Sequence, residues 1–271
     1  MLAAYEESVV VPDRVRKSAW AFSKGLHRLA IIGLVIIATG GMAQAKCQDA
    51  PGPGVDWAGC SKARIMLTGD DLAGANFQRS LLTLSDFNGS KMMGANLSET
   101  EISRTRFERA DLTKANFTKA LGWRANFSEA VLAEANFTSS DMNRSNFAKA
   151  RAVGADFQKA ELNRSDFSGA NLERANMAKA ELARVIFQQT KLTGVDFNHS
   201  NLSRAQLQGA DMRDVNMEGA YLYLTQLSGA DLTAAKGLTQ TQIDMACGDA
   251  QTKLPSGLTA PNTWPCSSEG D

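Results

Sequence analysis

A five-residue periodicity limits the possible folds of this chain more than any other feature. From Leu67 to Leu232 every fifth residue is large and apolar, with Gly122 and Ala152 as the two exceptions. A small residue stands two positions before most of them, as Ala75 stands before Phe77. A period of five matches neither an α-helix nor a β-strand. The run therefore predicts a repeat architecture, in which each unit buries its apolar side chain against neighbouring units.

Individual repeats also carry a resemblance to a known family. Residues 110–114 read Ala-Asp-Leu-Thr-Lys, and residues 170–174 read Ala-Asn-Leu-Glu-Arg. These segments resemble the A-(D/N)-L-x-x motif of pentapeptide-repeat proteins, and the resemblance extends over residues 65–236. It implies an all-β fold, a right-handed quadrilateral β-helix with four pentapeptides and twenty residues per coil. In that fold the central large residue and the small residue two before it point inward.

The phenylalanines support a coil of twenty residues. Eleven of the twelve have numbers ending in seven, so a twenty-residue coil places them in two stacks on opposite sides. At Gly122 and Ala152 the pattern predicts gaps, which we expect Leu121 or Trp123 to fill through a local bulge. The two predicted stacks are Phe87, Phe107, Phe127, Phe147, Phe167 and Phe187, and Phe77, Phe117, Phe137, Phe157 and Phe197.

Residues 1–45 have the layout of a secretory signal peptide. A basic stretch containing Arg14 and Lys17 precedes an apolar run over 29–38, and Ala43-Gln44-Ala45 follows as a cleavage site. Cleavage after Ala45 makes Lys46 the first mature residue and predicts a periplasmic or secreted protein. An uncleaved membrane anchor is the alternative, although the apolar run is shorter than the ~20 residues needed to span a bilayer.

All four cysteines lie outside the repeat, in predicted caps at residues 46–64 and 237–271. An even count in an exported chain indicates two disulfides. Of the three possible pairings, Cys47 with Cys60 and Cys247 with Cys266 is favoured, because the repeat separates the two pairs too far for a bridge. A zinc site is the alternative, but these spacings lack nearby histidine. In the second cap a capping box predicts a short helix over residues 240–247, with Gly248 at its end.

The residues indicate binding rather than catalysis. His199 is the only histidine of the predicted mature chain, and no glycine loop suited to phosphate is present, so we expect no enzyme, cofactor, metal or small-molecule substrate. Some family members are strongly acidic and are thought to bind topoisomerases by imitating DNA. The net charge of zero disfavours that function here, and nucleic acid is not an expected partner either.

One outward series exceeds what the motif requires, and we name it the arginine column. Carboxylates stand three residues before four of its members, at Glu101, Asp141, Glu161 and Glu181. One interpretation is a solvated face stabilised by salt bridges. The other is a site for a repeating anion, such as an anionic envelope polymer, which the planar guanidinium suits. The arginine column consists of Arg104, Arg124, Arg144, Arg164, Arg184 and Arg204, spaced by twenty residues.

Exposed aromatic residues form a second candidate surface. Trp123 lies beside Arg124, and Tyr221 and Tyr223 flank Leu222 near the end of the repeat. Such residues near the end of the repeat mark a protein contact or the interface of an end-to-end homodimer, or they cover the last coil beneath the cap. The sequence thus predicts an exported, non-enzymatic scaffold that binds an unknown protein or an anionic envelope polymer.

Overall fold

The computed structural model describes residues 46–266, and these wind into coils of twenty residues. Each coil pairs in parallel with the next through single-residue β-bridges between positions twenty apart, from Asp56↔Asn76 to Asn216↔Lys236. Extended strands are not formed, because a turn follows each bridging residue after one further residue. Four such turns close every coil. The bridges with twenty-residue spacing end at Lys236, which is also the last residue of the predicted repeat.

The unit Asn116–Ala120 shows how five residues build one side of a coil. Asn116 bridges to the neighbouring coils, and Phe117 points inward and is fully buried. The N–H of Ala120 donates to the carbonyl of Phe117 at 2.9 Å and closes the turn. The side chain of Asn116 accepts from the N–H of Thr118 at 3.0 Å, so the polar residue before the centre supports the turn. Lys119 occupies the turn with a φ of 58°.

Phenylalanine rings fill the core in the two predicted stacks. Phe117 and Phe137 lie parallel with centroids 4.6 Å apart, and Phe107 and Phe127 do so at 5.0 Å. Between the stacks the rings meet edge to face, as Phe117 and Phe127 do at 5.5 Å. Both arrangements are favourable for aromatic quadrupoles. The core is therefore continuous along the coils.

The space at Gly122 is filled differently from the prediction. The bridges Glu101↔Leu121 and Leu121↔Asp141 keep the register, so the chain has no bulge there. Leu121 is 51% exposed and does not turn inward. A Cβ on Gly122 would overlap the Sδ of Met142, whose flexible side chain occupies the space from the next coil. The prediction that Leu121 or Trp123 fills the gap was therefore wrong. Ala152, the second exception, is fully buried.

At the amino-terminal end, coil geometry begins inside the segment predicted as a cap over residues 46–64. Asp56 already bridges to Asn76, and the buried Trp57 meets Phe77 edge to face at 5.8 Å. The structure joins Cys47 to Cys60 by a disulfide. Tryptophan thus takes a central repeat position, and the first coil is covered by a short disulfide-closed segment.

At the carboxy-terminal end a short helix, Gln240–Met245, begins with the predicted capping box. Thr239 and Gln242 exchange hydrogen bonds, and the Gln242 amide also donates to the carbonyls of Met217 and Ala220. The helix stops at Met245, two residues earlier than predicted, so Gly248 does not end it. A Cβ on Gly248 would overlap the indole of Trp264, which explains the glycine.

A second disulfide, between Cys247 and Cys266, closes the carboxy-terminal segment. The last two bridges, Gln226↔Cys247 and Asp231↔Lys253, add one and two residues to the twenty-residue register and continue the pairing into this segment. Within residues 46–266, no helix is long and apolar enough to cross a membrane. The signal peptide predicted over residues 1–45 lies outside the described residues.

Candidate interaction surface

The arginine column lies along one side of the coils, as its spacing predicts. Each of its backbone N–H groups donates to the carbonyl nineteen residues later, as Arg144 does to Asn163 at 2.9 Å. The same hydrogen bond, from Arg64 to Thr83, places Arg64 in the series beyond Leu84. The sequence interpretation missed Arg64, because it stopped at the first leucine.

Every arginine of the series sits in a backbone conformation that favours glycine. From Gly54 to Gly229 every fifth residue has a positive φ, and glycine occupies 12 of these positions. The other three sides carry two, five and five of these glycines, whereas the arginine side has none. A non-glycine residue in the left-handed region costs roughly 1–2 kcal/mol. Non-glycine residues take this conformation on all four sides, so the arginine side is distinguished by having no glycine at these positions.

Ion pairing between coils does not explain the arginine column. On two other sides, opposite charges one coil apart pair at the same turn position, and Arg79–Glu99 and Arg109–Glu129 do so at 2.9 Å. Among the residues that the structure describes, no member of the arginine column lies within 4.0 Å of a carboxylate. Like charges one coil apart also repel. The interpretation of a salt-bridged face therefore does not fit these arginines.

The nearby carboxylates accept hydrogen bonds from neutral groups instead. Asp141 accepts from the side chain of Asn143 at 2.8 Å, and Glu161 accepts from the same amide group at 3.2 Å. Glu181 accepts from Asn201 at 2.8 Å. Both signs of charge are thus presented on one side of the coils without neutralising each other.

A continuous line of bridging residues runs parallel to the arginine column, and we name it the bridge column. We call the side of the coils that carries both columns, with the residues between them, the arginine face. The bridge column consists of Leu81, Glu101, Leu121, Asp141, Glu161, Glu181, Asn201 and Tyr221, each bridged to the next.

The candidate aromatic residues belong to the arginine face rather than to a separate surface. The guanidinium carbons of Arg124 and Arg104 lie 4.2 Å and 5.3 Å from the Trp123 ring centroid. Tyr221 is in the bridge column, and its ring stacks with that of Tyr223 at 6.2 Å. Arginine, tryptophan and tyrosine are the side chains most enriched at protein contacts.

Exposed apolar side chains concentrate on the arginine face as well. Among residues 46–266, seven large apolar side chains are exposed, and only Met66 and Met93 lie on other sides. The remaining five are 38–51% exposed. Apolar side chains that are exposed together on one surface mark an interaction site. These five are Leu81, Leu84, Leu121, Tyr221 and Tyr223.

The other side chains considered in the sequence stay apart from this face. His199 is exposed, and its Nδ1 lies 2.8 Å from the Oδ1 of the neighbouring Asn198. The four cysteines are in the two disulfides. Over the described range, 46–266, no three His, Cys, Asp or Glu side chains are grouped closely enough to hold a metal ion.

Comparison with solved structures finds a fold similar to that of HetL. HetL from the cyanobacterium Nostoc sp. strain PCC 7120 is a pentapeptide repeat protein involved in heterocyst differentiation regulation. It is 27% identical over 76% of this chain and 90% of HetL, with a TM-score of 0.57. QnrB1, a plasmid-mediated fluoroquinolone resistance protein, is 23% identical over 74% of this chain and 92% of QnrB1, with a TM-score of 0.39. The chain has no significant match among curated proteins.

Family models cover nearly the whole coiled region. The model described as pentapeptide repeats (8 copies) matches residues 67–98, 90–120 and 125–164. The model described as a pentapeptide repeat region matches residues 160–236. These matches coincide with the bridges twenty residues apart, and the sequence resemblance is confirmed: the chain belongs to the pentapeptide repeat family.

Proposed function

We propose that this protein is an exported, non-enzymatic scaffold that acts by binding a partner through the arginine face. One observation carries the proposal: seven arginines take left-handed turn positions on the one side that has no glycine at those positions, and the six of the arginine column form no ion pair within the described residues. These side chains cost the fold free energy and gain no ion pair within it, and only Arg104 and Arg124 lie over an aromatic ring, that of Trp123. A role in binding accounts for them.

Export is proposed from the predicted signal peptide and supported by the disulfides. Disulfides persist in oxidising compartments and are rare in the cytosol. The first disulfide joins Cys60 to Cys47, which lies two residues after the proposed cleavage site at Ala45. Lys46 forms an ion pair with Asp56. The amino-terminal end of the proposed mature chain is thus closed by a disulfide and an ion pair, which suits a periplasmic or secreted protein.

A binding role also fits the carboxylates, which support turns rather than form an acid–base pair. Asp111 accepts from the N–H of Thr113 at 3.1 Å, and Asp166 accepts from that of Ser168 at 2.8 Å. Paired carboxylates therefore arise from the repeat itself. A topoisomerase-binding DNA mimic needs an acidic surface, and the arginine face has more arginines than carboxylates.

Location is tested with the full chain fused to alkaline phosphatase, an enzyme that needs disulfides and is active only after export. We expect activity from the fusion, loss of activity when residues 29–38 are deleted, and a mature chain that begins at Lys46. An inactive fusion would contradict export. A full-length chain retained in the membrane would show the anchor instead of the cleaved signal.

Binding through the arginine face is tested by photo-crosslinking in cells. Ala183 lies on this face and Ala133 on the opposite side, and both are partly buried alanines one residue after a repeat centre. A photoreactive amino acid at Ala183 is expected to give products heavier than the monomer, and the same group at Ala133 is the matched control. Equal products at both positions, or none at Ala183, would contradict the proposed function.

A further inference from the structure

The two columns of the arginine face match each other in six of eight coils, and the coils of Leu121 with Arg124 and of Asn201 with Arg204 are the exceptions. Leu84 and Leu224 replace arginine in the series, and at those two coils the bridge column also carries an apolar residue. Four arginines share a coil with a carboxylate three residues earlier. Coil by coil, the bridge residue and the turn residue are Leu81 and Leu84, Glu101 and Arg104, Leu121 and Arg124, Asp141 and Arg144, Glu161 and Arg164, Glu181 and Arg184, Asn201 and Arg204, and Tyr221 and Leu224.

Contacts within one chain do not account for this matching. Arg144 forms no ion pair with Asp141, nor Arg164 with Glu161, in the part of the chain that the structure describes. Asp141 and Glu161 accept from Asn143, Glu181 accepts from Asn201, and Glu101 accepts from the N–H of Ser103. A surface that carries arginines and carboxylates side by side without ion pairs between them is complementary to the same surface on a second copy of the chain.

A two-fold axis parallel to the axis of the coils joins the matched residues. Rotation about this axis exchanges left and right across the arginine face and leaves each coil at its own height. The arginine column of one copy then faces the bridge column of the other, and Arg164 of each copy meets Glu161 of the second copy. An antiparallel arrangement places arginine on arginine and is disfavoured by repulsion.

We propose that the arginine face is the interface of a parallel homodimer, in which a second copy of this chain packs coil against coil. This inference rests on the proposed function, because it names the partner of the same face. Leu84 meets Leu81 of the second copy at one end, and Leu224 meets Tyr221 of the second copy at the other. The two Trp123 rings approach each other near the axis.

An anionic polymer is the other occupant that the sequence predicts for this face. It accounts for the arginines but not for the four carboxylates, which would repel it, nor for the exposed leucines and tyrosines. The homodimer gives partners to the four carboxylates, to four of the six arginines and to the two apolar coils, which an anionic polymer does not. The polymer is therefore an outcome of the test rather than the proposal.

The size of the face sets the expected strength of the dimer. Eight coils at ~4.8 Å give a length of about 40 Å, and four residues across give about 13 Å. The resulting area of about 500 Å² is below the ~800 Å² per partner of a typical stable interface. We expect a micromolar dimer that dissociates as salt rises, because charge pairs at the edge of an interface are screened.

Charge exchange within one coil is the first arm of the test. The full chain, processed by the host and purified, is studied by sedimentation velocity at rising protein concentration and at low and high salt. Arg164→Glu and Glu161→Arg are each expected to weaken the dimer at least tenfold, since each places like charges at two symmetry-related contacts. The double exchange is expected to restore the dimer to within threefold of the wild type. A double variant as weak as the single ones would overturn the pairing.

Crosslinking with a short bismaleimide, the second arm, tests the direction of the two copies. Facing sheets lie ~10 Å apart, within reach of this reagent. Ser103→Cys and Ser203→Cys, near opposite ends of the face, are both expected to crosslink to themselves in a parallel dimer. Ala133→Cys, on the opposite side, is the control. Crosslinks at none of these positions, or equally at Ala133, would overturn the proposal.

The outcomes also separate this inference from the proposed function. A chain that is monomeric at all concentrations and salts, yet gives photo-crosslinks at Ala183 in cells, keeps the proposed function and overturns the homodimer. Glu161→Arg distinguishes a second copy of the chain from an anionic polymer as the occupant of the face. This substitution is expected to weaken the dimer but to strengthen retention on heparin, the polyanion used as probe. Tighter heparin binding by Glu161→Arg without any dimer would establish the polymer as the occupant. If Ala183 gives no products either, both proposals fail.

Discussion

The guanidinium of Arg124 lies over the indole of Trp123, with its central carbon 4.2 Å from the ring centroid. Exposed pairs of this type contribute about 0.5–1 kcal/mol. We therefore expect Trp123→Ala to lower the free energy of unfolding by about 1 kcal/mol or less in urea titrations, while it reduces photo-crosslinking from Ala183. Trp57→Ala is the comparison, because Trp57 is 2% exposed and its loss is expected to cost about 3–5 kcal/mol. Equal losses in the two variants would show that Trp123 serves the fold.

The Met142 side chain occupies the space that Gly122 leaves in the core. Gly122→Ala is expected to lower the free energy of unfolding by about 1–3 kcal/mol, because the added methyl overpacks this coil. In a Met142→Ala background the same substitution is expected to cost less, or to stabilise by filling the cavity. A double-mutant cycle measured by chemical unfolding gives the coupling. Additive losses would show that the two residues do not share this space.

Arg144 has a φ of 59°, in the left-handed region. Arg144→Gly is expected to be more stable than Arg144→Ala by about 1 kcal/mol, because alanine keeps the unfavourable backbone conformation and glycine does not. Urea unfolding of both variants measures the difference. An alanine variant as stable as the glycine variant would show that the position carries no strain.

The carboxylate of Asp211 is paired with Arg213, whose Nη2 lies 2.6 Å from Oδ2. This hydrogen bond lowers the pKa of Asp211 from 3.8 to about 2. A pKa lower in the folded than in the unfolded state adds stability that is fully present above the unfolded pKa and is lost as the pH falls from about 4 to about 2. Asp211→Asn is expected to be less stable at neutral pH and to show a shallower fall in unfolding free energy over this range. Parallel curves for the two proteins would contradict this assignment.

Periodicity was enough to predict the coil, its two phenylalanine stacks and the arginine column, because a residue's number fixes its side and its coil in an uninterrupted repeat. The place of Tyr221 on the arginine face follows from the same arithmetic, although the sequence interpretation treated it as a separate surface. The filling of Gly122 did not follow, since it depends on the side-chain conformation of Met142. Helix termination at Met245 did not follow either: Ala246 is already extended, and its carbonyl accepts from the indole N–H of Trp264 at 2.6 Å.

The partners of the carboxylates were also beyond the sequence. Glu161 is three residues from Arg164, and the sequence alone suggested a salt bridge between the two columns. In the structure Glu161 instead accepts a hydrogen bond from the side chain of Asn143, eighteen residues earlier. Competition among several polar side chains in adjacent coils decides such contacts, and the repeat pattern does not rank them.

The central claim is that the arginine column serves contact with a partner and not the fold, and a triple glycine variant tests it most directly. Arg144, Arg164 and Arg184 are changed together to glycine, and unfolding free energy and crosslinking from Ala183 are measured on the same protein. We predict that stability is kept or raised, because left-handed positions favour glycine, and that crosslinking is lost. A variant that is less stable and crosslinks as well as the wild type would contradict the claim.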